Sequence, residues 1–123
     1  MSIARLSLGA LEKILQGEVK EDATCVVKFY SNGCHLCHAL QEYYAEIAKE
    51  DKYSDLHFFA FNVDDYPSIE GRLKFNGVPT ISVIRTRTGN KTSKVSIMPD
   101  PETPNKATWY RTSEIKRFIE KEK

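Results

Sequence analysis

Cys34, His35, Cys37 and His38 fall within five consecutive positions of SNGCHLCHAL, the stretch Ser31–Leu40. Three chemistries use residues of these types at this spacing. Two thiols separated by two residues can close a small disulfide and exchange it with other disulfides. Followed directly by histidine, the pair also satisfies the C-x-x-C-H pattern of covalent haem attachment, with Met98 as a conceivable second axial ligand. Cysteine and histidine are zinc ligands as well, and a structural zinc site needs four of them.

What the cluster can do depends on the elements that hold it. The residues before it, TCVVKFYS (Thr24–Ser31), are short, β-branched and aromatic, which suits a buried strand. Asn32-Gly33 then punctuates the chain, and helical periodicity runs from about Cys34 to Glu50, with Leu36, Leu40, Tyr43, Tyr44, Ile47 and Ala48 on one face. A thiolate at the start of a helix meets unsatisfied backbone N–H groups and the positive end of the helix dipole. Cys34 is therefore expected to have a lowered pKa and to act as the nucleophile, with Cys37 resolving the mixed disulfide.

The remaining elements set the frame. A helix is predicted from about Ser7 to Gln16, with Leu8, Leu11, Ile14 and Leu15 on one face and Gly17 as its stop. LHFFAFNVD (Leu56–Asp64) reads as a second, strongly apolar strand. About 25 mostly helical residues separate it from the first, the length of a βαβ crossover, so the two strands should be parallel. PSIEGRLKFNG predicts a shorter helix opened by Pro67 and closed at Asn76-Gly77. VPTISVIRTRTGNKTSKVSIM predicts two antiparallel strands turning near Thr88-Gly89-Asn90. Three prolines within PDPETP mark a surface loop, and Ile115, Phe118 and Ile119 give SEIKRFIEKEK the spacing of an amphipathic end helix. The order α, β, α, β, α, β, β, α predicts an α/β fold: one domain spanning residues 1–123, a central mixed sheet with helices on both faces.

Composition narrows the function classes. With 123 residues the chain can bury one core, and 41% apolar with 28% charged residues is ordinary for a globular protein. Eighteen basic and 17 acidic side chains leave a formal charge of +1, which offers nucleic acid or a membrane surface no electrostatic attraction. No apolar run reaches the roughly 18 residues of a membrane span. Charges at Arg5, Glu12 and Lys13 break the N-terminal apolar stretch, unlike a signal peptide, so a reducing cytosol is the expected compartment. There a C-x-x-C pair is catalytic or metal-binding more often than structural. Cys25 alternates with Val27 and Phe29 on its strand and reads as a buried small hydrophobe.

VVKFYSNGCHLC resembles the VxFxAxWCxxC active-site segment of thioredoxins and protein disulfide isomerase domains. FNVDDYPSIEGRLKFNGVPTISVIR is similar to their next portion, where a strand, a helix and Gly-Val-Pro-Thr lead into another strand. The resemblance covers about Thr24 to Ile84, and the Val-Pro-Thr about 40 residues after the CxxC makes it more specific than the cysteines alone. It implies a thioredoxin fold with a cis Pro79 beside the disulfide and Val78 presenting backbone groups to an extended substrate. Gly33, His35, Val78 and Pro79 are the implied substrate-contacting positions. The implied activity is dithiol–disulfide exchange on protein disulfides by a monomer, without organic cofactor or metal, with electrons from a thioredoxin-reductase-type donor or another thiol system.

Three positions depart from the family pattern. Gly33 stands where the family usually has tryptophan, which removes an apolar wall beside the nucleophile. Lys28, six residues before Cys34, replaces a buried acidic residue thought to take the resolving thiol's proton. A lysine could do so only if desolvation made it neutral; otherwise it would snorkel to the edge and favour thiolates. His35-Leu36 separates the cysteines, and a protonated His35 would stabilise the Cys34 thiolate. Lys28, His35 and His38 are thus the candidates for tuning the couple. The lost tryptophan and acid also keep a different class open: a thioredoxin-fold accessory subunit that binds a partner and has little redox activity. A strand feeding the motif, the strand-rich chain and Val78-Pro79 oppose haem, and zinc lacks a second CxxC.

Overall fold

The computed structural model describes residues 3–123. The chain runs through β1 (Ala4–Arg5), α1 (Leu8–Leu15), β2 (Ala23–Tyr30), α2 (His35–Ala48), β3 (His57–Asn62), α3 (Ile69–Leu73), β4 (Thr80–Thr86), β5 (Lys94–Ile97) and α4 (Thr112–Glu122). The strands form one mixed sheet in the order β1-β3-β2-β4-β5. β2 pairs parallel with β3 and antiparallel with β4, which in turn pairs antiparallel with β5.

β2 is the centre of the sheet because both of its faces are covered. Cys25, Val27 and Phe29 join Leu11, Ile14, Phe61, Ile69 and Phe75 in the core under α1 and α3. Val26, from the opposite face, joins Leu40, Tyr44, Ile47, Ile81, Ile115 and Ile119 under α2 and α4. An apolar run without strict alternation is what a strand buried on two faces requires. Lys28 has the parity of Val26 and so lies on the α2 face.

The sequence-predicted elements are present, with four differences. β1, which pairs parallel with β3, has only two exposed residues and no periodicity to reveal it. The third helix starts at Ile69 and ends before Asn76: Lys74 takes a left-handed conformation (φ 62°), and the Phe75 N–H donates to the Glu70 carbonyl at 3.0 Å. That closure turns Phe75 into the core. Tyr43 is 49% exposed, because the buried face of α2 is centred on Cys37, Leu40, Tyr44 and Ile47, leaving Tyr43 beyond its edge. Lys28, expected to reach the edge, is only 4% exposed, because α2 lies over its side of the sheet.

Candidate active site

The site begins where β2 ends. Ser31-Asn32-Gly33 turn the chain, the Cys34 N–H donates to the Ser31 carbonyl at 3.3 Å, and α2 starts at His35. Cys34 is therefore the N-cap residue of α2, with extended backbone (φ −90°, ψ 102°), and its Sγ accepts the Cys37 N–H at 3.0 Å. A sulfur stands here where a serine or aspartate oxygen commonly caps a helix. Negative charge on that sulfur is favoured by the N–H and by the helix dipole. Cys34 and Cys37 are disulfide-bonded, with Cα atoms 5.2 Å apart. Cys34 is half-buried and Cys37 is 1% exposed, so Cys34 is the cysteine a reactant from outside can reach.

Residues distant in sequence hold this turn. The Asn32 N–H donates to Asp64 Oδ2 at 3.0 Å, and Asn62 Nδ2 donates to Asn32 Oδ1 at 2.9 Å. Asn62 Oδ1 in turn accepts the Asp64 N–H at 2.9 Å. From the other side, His38 Nε2–H donates to the Asn32 carbonyl at 2.9 Å, which ties the first turn of α2 back to the loop. His38 is a tuning candidate on sequence grounds, whereas Asn32, Asn62 and Asp64 are not. The only signal for those three was the Asn-Gly turn and the polar end of FNVDD.

Gly33 is exposed, and no heavy atom lies within 4 Å of where a Cβ would stand. The turn does not need a glycine for space; its effect is an unwalled approach to Cys34. His35, the first helical residue, is exposed. The Val78-Pro79 bond is cis, as the resemblance implied. Thr80 pairs with Phe29, so Pro79 lies at the sheet end from which the cysteine loop departs. Thr80 Oγ1–H donates to the Gly77 carbonyl at 2.7 Å, and Glu70 Oε1 accepts the Gly77 N–H at 2.7 Å, fixing the approach to Pro79. Among the described residues, no backbone hydrogen bond engages Val78, which is half-buried.

Lys28 reaches under α2. Its Nζ is 3.5 Å from the Cys37 carbonyl and lies 5.5 and 5.7 Å from the ring centres of Tyr44 and Tyr30. Burial pushes its pKa down to about 8. Cys25, 3% exposed, is free, and burial pushes its thiol up to about 11, which makes it unreactive. Met98, the conceivable haem ligand, is packed in the core under α4. Among the described residues, no three His, Cys, Asp or Glu side chains converge as metal ligands.

The thioredoxin family model matches residues 10–101. Among solved structures, thioredoxin f2 of Chlamydomonas reinhardtii superposes with a TM-score of 0.70 at 17% identity, covering 98% of this chain and 95% of that one. The thioredoxin of Malassezia sympodialis gives 0.66 at 14% identity, covering 98% and 93%. Mitochondrial thioredoxin 3 of Saccharomyces cerevisiae, in its oxidised form, gives 0.63 at 19% identity, covering 97% and 94%.

Proposed function

Since the chain belongs to the thioredoxin family, we propose that its Cys34–Cys37 couple acts on the disulfides of other proteins. The fold and the cysteine pair make it a thiol–disulfide oxidoreductase; the choice of protein substrates is the step added here. In the reducing direction the Cys34 thiolate attacks one sulfur of the substrate disulfide, forming a mixed disulfide and expelling the other sulfur as a thiolate. Cys37 then loses its proton to solvent and attacks Cys34 Sγ. The Cys34–Cys37 disulfide closes, and the second substrate sulfur leaves. Two electrons pass from the dithiol to the substrate, and a dithiol donor of the thioredoxin-reductase kind restores the couple.

One observation carries this reading: the more exposed sulfur caps the helix, and the buried one is bonded to it. Cys34 thus has the access and the stabilised charge of a nucleophile, whereas Cys37 can react only within the chain. Val78, with no intramolecular backbone partner among the described residues, offers its N–H and C=O to an extended substrate segment, and cis Pro79 sets their direction. The open surface at Gly33 suits substrates of varied shape. Lys28, beneath the Cys37 carbonyl, favours charge on the resolving sulfur. A reducing cytosol fits the single unpaired cysteine, Cys25, which stays a thiol in the core.

Insulin reduction driven by dithiothreitol tests the reading. Wild-type protein should accelerate it, and Cys34→Ser and Cys37→Ser should both fall to the uncatalysed rate. Cys37→Ser should also accumulate a mixed disulfide with insulin through Cys34, visible by mass. Wild-type activity no greater than that of the variants would reject catalysis and favour an accessory subunit.

A further inference from the structure

Behind the disulfide, on the α2 side of the sheet, a cavity of about 500 Å³ opens between α2, β2 and the β1 edge. That size lies within the roughly 300–1,000 Å³ of small-molecule sites. Ile3, Tyr30, Tyr44, Ala45 and Ala60 contribute its apolar walls. Lys28 also lines it, as does Cys37.

Lys28 is poorly satisfied where it stands. An ammonium group has three N–H donors, and its one hydrogen-bond acceptor, the Cys37 carbonyl, is 3.5 Å away. None of the ion pairs among the described residues includes Lys28. Among the described residues, the Tyr30 and Tyr44 rings lie close enough to stabilise it further. A cation that is 4% exposed and has no counter-ion is a binding group in want of an anion.

We propose that this cavity binds a small organic monocarboxylate, with its carboxylate on Lys28 and its apolar body against Tyr30, Tyr44 and Ala60. The walls decide the class of anion. A phosphate or sulfate would leave the apolar lining uncovered. Arg5, the other strong cation of the lining, already holds Asp65 at 2.6 Å. Glu42, also in the lining, opposes a second negative charge. One charge and one apolar group is what the site matches. This binding does not depend on which disulfides the cysteines act upon.

The test is an amide NMR titration of the oxidised full chain with benzoate and, separately, with the neutral isostere benzamide. Benzoate should give saturable shifts at Gln41, Ala45 and Ala60, with benzamide at least tenfold weaker. Lys28→Met should weaken benzoate at least tenfold and leave benzamide unchanged. Glu42→Gln, an exposed substitution, should tighten benzoate two- to threefold, and Arg5→Gln should leave it within twofold. Equal binding of benzamide and benzoate, an unchanged affinity in Lys28→Met, or shifts centred away from the cavity would each overturn the proposal. Should Lys28→Met fail to fold, an unchanged benzoate affinity in Glu42→Gln overturns it instead.

Discussion

Replacing Lys28 by methionine should stabilise the protein at neutral pH, and the gain should vanish in alkali. Burial lowers the folded-state pKa of Lys28 from 10.5 to about 8. Between those two values the unfolded chain binds the proton that the folded protein has released, so the lysine's contribution to stability rises with pH across that window. Below pH 8 the folded protein carries the full cost of the buried charge. At 1.36 kcal/mol for each tenfold step in proton affinity, that cost is about 3 kcal/mol at pH 7, about 2 at pH 9 and under about 1 at pH 10. Methionine conserves the length and apolar stem and has no proton to bind. The observable is the difference in unfolding free energy between Lys28→Met and wild type, both oxidised, from urea titrations at pH 7, 8, 9 and 10. Subtracting wild type removes the opposing alkaline effects of Cys25 and Tyr110, whose pKa values burial raises in both proteins. The difference should shrink by about 2 kcal/mol between pH 7 and 10. A difference that stays constant over that range would show that Lys28 is not held as a desolvated cation, and would remove the basis for its role beside Cys37.

Two further outcomes follow from the site. In the reduced protein, iodoacetamide at pH 7 should label Cys34 first and leave Cys25 unmodified until denaturant is added, read by peptide mass mapping. A thiol with a pKa near 11 is thiolate to only about one part in ten thousand at that pH. Asn62→Ala should destabilise the protein by about 1–3 kcal/mol in urea titrations, because it removes two hydrogen bonds, to the Asn32 side-chain carbonyl and from the Asp64 N–H. It should also slow the attack of Cys34 by loosening the turn that places it, whereas a purely global effect would leave the alkylation rate of Cys34 unchanged.

Much of the framework was legible because it is encoded within a few residues of itself. The apolar run of β2 announced a strand buried on both faces, and the crossover length announced its parallel pairing with β3. The position of Cys34 at the start of a helical period already implied an N-terminal sulfur, and the structure places it one residue earlier, at the N-cap. The cis bond at Pro79 came from family resemblance, since nothing in the spacing of Gly77, Val78 and Thr80 dictates an isomer.

Tertiary structure alone decided the environment of the dithiol. Asn32, Asn62 and Asp64 meet because β2 and β3 run parallel and end together, a contact across about thirty residues that no local pattern records. Lys28 could equally have snorkelled or been buried. Strand parity turned it toward α2, and the packing of that helix over it removed its water and lowered its proton affinity. The sequence by itself determined a cysteine pair at the start of a helix that follows a buried strand, because dipoles and periodicity act over one or two turns. Whether a cation stood beneath that pair, and whether a cavity opened beside it, depended on which surfaces were brought together, because desolvation is a property of the assembled layers.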